Sequence, residues 1–500
     1  MFTFKRAIPE EKGLSSKSIM KVLKALTARN IPMHSLLIMK DDALIFEKYY
    51  APYKEDSLHR MFSISKSFTA LAIGLLAEEG KLYLDAPITD YFPEYVNEKT
   101  HPWIRMTTIK DMLMMRSCHA STTYKVDMKS DWVESFFTVP PTHKPGTVFH
   151  YDTSAAHTLC ALAEKLSGKD MLTYLKDRLL KHVDFSEDSY MVKDPFGVSM
   201  GGSGLMATSM DILKVLYILD KKGEIVCSDG EKRCLLPKDY LTLATSNLSD
   251  IFMTAPIPSE AQGYGMQIWQ NEKGGFVLYG MGGQLAISIP SNKLLIMTTA
   301  DTQGIAGGNQ VIYDALYNNL LSDENDLNSG DYDDLMSYAN SLAIMPPRLP
   351  ENYALTGTYS AKGTIPEFLK SQCKASIDGH IHLSYNLSDN PQGFETLSLD
   401  LTENGPCSIS FSQKKTLRTI SFGIQSMYEG SFPIYDNHYT AGSIFSRDNV
   451  LYIRVHLIGE SVGSVHFQFF FGEGEVSVFM KKIEETYFKE YDGHLYGQLI

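Results

Sequence analysis

Ser63 and Lys66, one helical turn apart, carry the strongest chemical signal in this chain of 500 residues. The segment reads Ser63-Ile-Ser-Lys66-Ser-Phe68, and apolar residues then fall at 68, 71, 72, 75 and 76. That is the i, i+3, i+4 rhythm of an α-helix. Ile73, Gly74 and several alanines make the segment apolar on nearly every side, which predicts a buried central helix stopped by Gly80. Ser63 and Lys66 then share one face of its first turn. A serine hydroxyl is a weak nucleophile until a neighbour takes its proton. A desolvated lysine one turn away can accept or relay that proton. The helix N-terminus favours a developing alkoxide, and the Ser63 backbone N–H can donate to an oxyanion.

Ser-x-x-Lys alone is a weak signal, since it occurs at 18–21, 63–66, 371–374 and 412–415. Ser18 falls on an amphipathic helix expected to be mostly exposed, while Ser371 and Ser412 fall in a β-rich region. Only Ser63 opens a buried apolar helix. Such a pair can equally serve capping and solubility.

Two further elements carry chemistry. Tyr151, in Tyr151-Asp-Thr153, stands in a loop ahead of a helix marked by Leu159, Leu162 and Leu166 and ended by Gly168. A phenol there can relay a proton if lysines lower its pKa, or can simply pack at the helix entrance. Leu278-Tyr279-Gly280-Met281-Gly282-Gly283-Gln284 leads into the strand Leu285–Pro290. Its glycines permit close backbone approach to a ligand, and the Met281 N–H can complete an oxyanion hole. A glycine-rich hairpin turn is the plainer reading.

Positioning these groups requires an ordered frame. Ile19, Val22, Leu23 and Leu26 predict a helix over residues 15–29, and two apolar runs flanking Asp41-Asp42 predict a β-hairpin over 36–49. Residues 63–230 are mostly helical in pattern, and strand-like runs return between Tyr264 and Asp301. Strands at both ends with helices between predict an α+β fold: one antiparallel sheet closed by distant parts of the chain around a helical insertion. Residues 1–325 make this domain and 326–349 a linker, rich in acidic residues and ending at Met345-Pro-Pro-Arg-Leu-Pro350. Short alternating runs then predict an all-β domain over 350–500, in which a loop near Tyr435-Asp-Asn-His438 is a candidate rim for the cleft.

Composition narrows the function. Lys+Arg is 46 against Asp+Glu 59, a net charge of -13, which disfavours nucleic acid and an anionic membrane surface as partners. The start lacks an apolar leader and six scattered cysteines lack CxxC spacing, so a cytoplasmic protein with reduced thiols is expected. No metal or cofactor is expected. His380-Ile-His382 reads as two surface histidines, and no G-x-S-x-G or H-E-x-x-H is present.

Taken in order, Ser63-Ile-Ser-Lys66, Tyr151-Asp-Thr153 and Leu278-Tyr-Gly280 resemble the three motifs of the serine β-lactamase and penicillin-binding-protein superfamily. The resemblance is nearest its class C β-lactamase/esterase-like branch. Lys81–Pro93, Met106–Ser117, Gly201–Ile212 and Gly263–Trp269 also look like that family, so the likeness covers most of residues 5–320. It implies that Ser63 forms an acyl-enzyme, that Lys66 and Tyr151 shuttle protons in an order the sequence leaves open, and that Ser63 N–H and Met281 N–H form the oxyanion hole. Thr153 stands where the family has an amide, and Leu278 where it has a cation or imidazole that meets the substrate carboxylate. Tyr279 and Gln284 are then the expected polar contacts, beside Gly280. The expected activity is hydrolysis of a small ester, amide or peptide without an essential carboxylate. A penicillin-recognising enzyme (β-lactamase or D,D-carboxypeptidase) and a non-catalytic binding protein on the same scaffold are the alternatives. The oligomeric state is open.

Overall fold

The computed structural model describes all residues except 1, 256, 323–326, 329, 350–363, 374–379, 404 and 485. The expected start of the last domain at 350, part of the acidic stretch and Lys374 of one Ser-x-x-Lys lie outside the described residues.

The hairpin forms as Met33–Lys40 and Ala43–Tyr49, turned by Asp41 and Asp42, both at positive φ (46° and 60°). Two such residues make the turn whose twist matches a hairpin. Met33–Lys40 pairs antiparallel with Leu294–Ala300 in the centre of a seven-stranded sheet. The order runs Lys5–Arg6, Ala43–Tyr49, Met33–Lys40, Leu294–Ala300, Gln284–Ile289, Phe276–Gly280, Trp269–Gln270. The sheet is antiparallel apart from one edge: Lys5–Arg6 pairs parallel with Ala43–Tyr49, because this short lead-in reaches its neighbour before the first helix reverses the chain.

The central strands are buried on both faces. Leu36, Ile38, Leu285, Ile287 and Ile296 face the helices Ser16–Ala28, Gln310–Leu320 and Asp331–Asn340. Leu37, Met39, Ala286, Leu295 and Met297 face the helical insertion. Strand alternation thus divides one apolar run between two cores. Ser18 is buried on the first helix, contrary to expectation, since that helix is covered by the sheet and by two later helices. Asp331–Asn340 lies inside the expected linker but packs Leu335 and Ala339 into the first core, with Lys17 3.1 Å from Asp331.

The C-terminal part forms ten strands, ordered from Thr416–Ile424 through Cys407–Gln413, Thr396–Thr402, His380–Leu387, Gly493–Leu499, Glu475–Ile483, Gly463–Gly472, Val450–Leu457 and His438–Arg447 to Met427–Ser431. A parallel pairing of Gly423 with Gly442 closes the sheet into a barrel around Phe411, Phe422, Phe467 and Phe469. Ser371 belongs here to a short helix, Glu367–Gln372, and not to a strand.

The barrel meets the first domain beside the nucleophile segment. Arg60 donates to the Glu460 carbonyl at 3.2 Å, the Tyr190 hydroxyl to the Glu460 carboxylate at 2.6 Å, and the Gln303 amide to the Val462 carbonyl at 3.1 Å. His34 and His59 are buried together, 2.8 Å apart (Nδ1 to Nε2), with His34 stacked on Tyr53. Arg454 and the buried His456 of the barrel act on His34 across the contact.

Candidate active site

The helix Ile64–Glu78 begins at Ser63 after a left-handed residue, Phe62, at φ 46°. Such a conformation is costly for a bulky side chain and needs support from its surroundings. That support is present: Met61 N–H donates to Leu205 O at 2.9 Å, and the Ser65 hydroxyl bonds Phe62 O at 2.6 Å while accepting from Leu205 N–H. Gly80 follows the helix at φ 68°.

Lys66 is 1% exposed. Its Nζ lies 2.9 Å from Ser63 Oγ and donates to Gly202 O at 2.7 Å. It also sits over the Tyr151 ring, 4.7 Å from the centroid. Gly202 must be glycine for this contact: a Cβ there would fall 2.4 Å from Thr153 Cγ2. The sequence motif Gly201–Ile212 therefore supplies a loop that slides between two helices and caps the lysine.

Tyr151 ends the loop before the helix Thr153–Ser167, which stops at Gly168 (φ 71°) as expected. Its ring centroid lies 5.5 Å from that of Trp269. Burial pushes the phenol well above its ordinary pKa, with Ser63 and Trp269 opposing. The condition attached to a relay by Tyr151, a phenol lowered by lysines, is not met: burial acts in the opposite direction. Its neighbour Asp152 caps the helix, accepting from Ser154 N–H at 2.8 Å, the Ser154 hydroxyl and the Ser117 hydroxyl at 3.1 Å. Burial raises the Asp152 carboxyl to about 6 against these hydrogen bonds. Thr153 is the first residue of the helix and turns its methyl to Gly202.

The strand Phe276–Gly280 brings the third element alongside. A Cβ on Gly280 would meet Met61 O at 2.4 Å, so this strand end touches the turn that presents Ser63. Leu278 is fully buried in the helical core and offers nothing to a ligand. Gln284 is also fully buried: its amide donates to Met281 O at 2.5 Å and its carbonyl accepts from Ala300 N–H at 2.9 Å. It braces the Met281-Gly-Gly283 turn, correcting its expected role as a ligand contact. Tyr279 faces the other way, with its ring 5.3 Å from that of Trp269.

Tyr279 and Met281 open onto a cavity of about 750 Å³, within the range of small-molecule sites. Its walls include Glu260, Thr302, Asn309 and, from the barrel, Lys482, Ile483 and Glu484. The expected rim near Tyr435–His438 is instead tied into the barrel, where the Tyr435 hydroxyl bonds Glu490 at 2.9 Å. Glu260 and Asn309 escaped the sequence reading. Among the described residues no group of three or more His, Cys, Asp or Glu is placed to hold a metal ion, and no helix is long and apolar enough to cross a membrane.

A family model described as Beta-lactamase matches residues 19–315. The chain is 22% identical over 272 residues to a 6-aminohexanoate-dimer hydrolase of Paenarthrobacter ureafaciens, spanning 50% of this chain and 68% of that protein. It is 26% identical over 195 residues to protein flp of Staphylococcus aureus (strain MW2), but there the match spans 35% of this chain and only 39% of the relative. A solved structure of a β-lactamase candidate from Bacteroides dorei superposes with a TM-score of 0.51 at 17% identity, covering 62% of this chain and all of that one. That likeness establishes the fold.

Proposed function

From the premise that the chain belongs to the Beta-lactamase family, we propose that it is a serine hydrolase acting through an acyl-enzyme on an ester or amide that needs no carboxylate. The observation that carries this reading is the approach of Lys66 Nζ to Ser63 Oγ at 2.9 Å, with the same Nζ 4.7 Å from the centre of the Tyr151 ring.

Tyr151 is assigned the acid step, in keeping with the upward push of burial on its phenol. Lys66, in its amine form, takes the Ser63 proton as Oγ attacks the carbonyl carbon. The N–H groups of Ser63 and Met281 receive the oxyanion. Tyr151 then gives its proton to the departing alkoxide or amine, and Lys66 returns one to Tyr151. Water repeats the sequence on the acyl-enzyme, releasing the acid and restoring Ser63. Leu278, buried and apolar, leaves the third motif without the cation that a carboxylate would require.

Intact mass after incubation with an aryl ester, a penicillin, a D-amino-acid amide and a fluorophosphonate tests the reading. The ester and the fluorophosphonate are expected to add mass at Ser63, the penicillin to add none, and Ser63→Ala to remain unlabelled. A folded protein that takes no label from any of them refutes the proposal.

A further inference from the structure

The cavity beyond Met281 holds a carboxyl group that neither acyl transfer nor the scaffold uses. Glu260 is 2% exposed and lines the cavity together with Asn309, Thr302 and Tyr279. Asn309 donates to its Oε1 at 3.2 Å, and Asn309 is itself fixed by the Thr302 hydroxyl at 2.7 Å. Glu260 is carried by a short turn tied down through Ser259, which exchanges hydrogen bonds with Gln310. The carboxyl is therefore placed and not merely trapped.

The rest of the lining gives its charge no answer. Lys482 is the one cation among the described residues of the wall, and its Nζ is held 2.8 Å from Tyr487 O and 3.9 Å from Glu484. Glu484 adds a second carboxylate. Ile257 and Ile483 supply apolar surface, and Gly304, Gly307 and Gly308 add no side chains to the lining. We propose that this cavity is the substrate's specificity pocket and that Glu260 recognises a positively charged amine, so that the preferred ester or amide carries an ammonium group. The inference rests on Ser63 and Met281 acting as proposed above, since Met281 lines the cavity.

A buried carboxylate with one amide partner is costly, and an entering ammonium supplies the missing counter-charge. Consistently, burial lifts the empty site's carboxyl to about 7, with Asn309 only partly opposing. A carboxylate ligand would meet two like charges here. The barrel contributes Lys482, Ile483 and Glu484 to the lining and so bears on the size of the amine-bearing arm.

The test is the rate at which a fluorophosphonate labels Ser63 in the presence of 1-pentylammonium, 1-pentanol or pentanoate. Pentylammonium is expected to halve the rate at about tenfold lower concentration than pentanol, the scale of one hydrogen bond to a charged group, with pentanoate the weakest. Glu260→Gln is expected to erase the difference between amine and alcohol, and Glu484→Gln to reduce it. Equal protection by amine and alcohol, stronger protection by pentanoate, no protection by any of the three, or an undiminished amine preference in Glu260→Gln overturns the proposal. If Glu260→Gln does not fold, the order of the three compounds on the parent protein still decides. Failure of the fluorophosphonate to label Ser63 at all falls on the hydrolase reading instead.

Discussion

Gly280→Ala isolates the contact between the third motif and the nucleophile turn. The new Cβ would stand 2.4 Å from Met61 O and 2.7 Å from Gln284 Cβ. Ordinary contact begins near 3.4 Å, so the strand end or the Met61–Ser63 turn must yield by about 1 Å. Neither neighbour is the free end of a flexible side chain. Overpacking of this kind costs about 1–3 kcal/mol of stability. The larger effect falls on the geometry, since Met281 N–H moves with Gly280 and Ser63 moves with Met61. A misplacement of about 1 Å in a positioned site costs on the order of 10²-fold in rate. The assay is kcat/KM for 4-nitrophenyl acetate together with the thermal midpoint. Gly230→Ala serves as reference: its Cβ meets nothing within 4 Å, but its φ of 87° penalises alanine, so it is expected to lower stability and spare activity. If folded Gly280→Ala keeps kcat/KM within twofold of the parent, the strand end does not position the oxyanion site and the reasoning is wrong.

Tyr151→Phe removes the phenol that meets Ser63 and is expected to lower kcat by about 10²–10⁴-fold, measured on the same ester; a change under threefold would remove Tyr151 from the proton path. Gln284→Ala strips partners from two backbone groups, Met281 O and Ala300 N–H, at about 1–3 kcal/mol each, and calorimetry is expected to record that loss together with reduced activity. His59 bears on pH. Burial lowers it from 6.5 to about 4, opposed by its bond to Arg60 O, so its neutral form is the folded form. That contribution is complete above pH 6.5 and is lost as pH falls toward 4, amounting to about 2 kcal/mol by pH 5. Burial also lowers His34 and His456 nearby, with Arg454 acting on both, while Asp301, raised to about 6 by burial, works in the opposite sense. The comparison is therefore between parent and His59→Asn: the variant is expected to lose less of its thermal midpoint between pH 7.5 and 5, and parallel profiles would disprove the assignment.

The Ser63 helix was legible because its signal is local. Apolar residues at 68, 71, 72, 75 and 76 follow the helical period, and the Ser–Lys spacing then follows from its pitch. Tyr151 and the Met281 turn were legible by order and chemistry but not by state. Nothing in sequence distinguishes a phenol lowered by a nearby lysine from one raised by burial. Leu278 was read as standing where the family has a carboxylate-binding residue, and strand alternation sends it with Gly280 toward the helical core; one-residue parity is invisible until the strand's neighbours are known. Glu260 and Asn309 lie 49 residues apart with no shared motif, so only the folded turn joins them. Asp152 was within reach, since an aspartate two residues before Ser154 at a helix entrance is an N-cap signal. The barrel's wall at 482–484 was not, because it depends on how two independently patterned regions meet.

The central pairing of Met33–Lys40 with Leu294–Ala300 carries a consequence for synthesis. The ribosome releases Ser63, Lys66 and Tyr151 long before it reaches the strand that must lie beside residue 36. Until about residue 300 has emerged, the sheet lacks its middle, and neither Gly280 nor Met281 can brace the serine. A nascent chain halted earlier holds Ser63, Lys66 and Tyr151 but no frame to hold them. Under the proposed hydrolase reading, activity arrives only once the first domain closes.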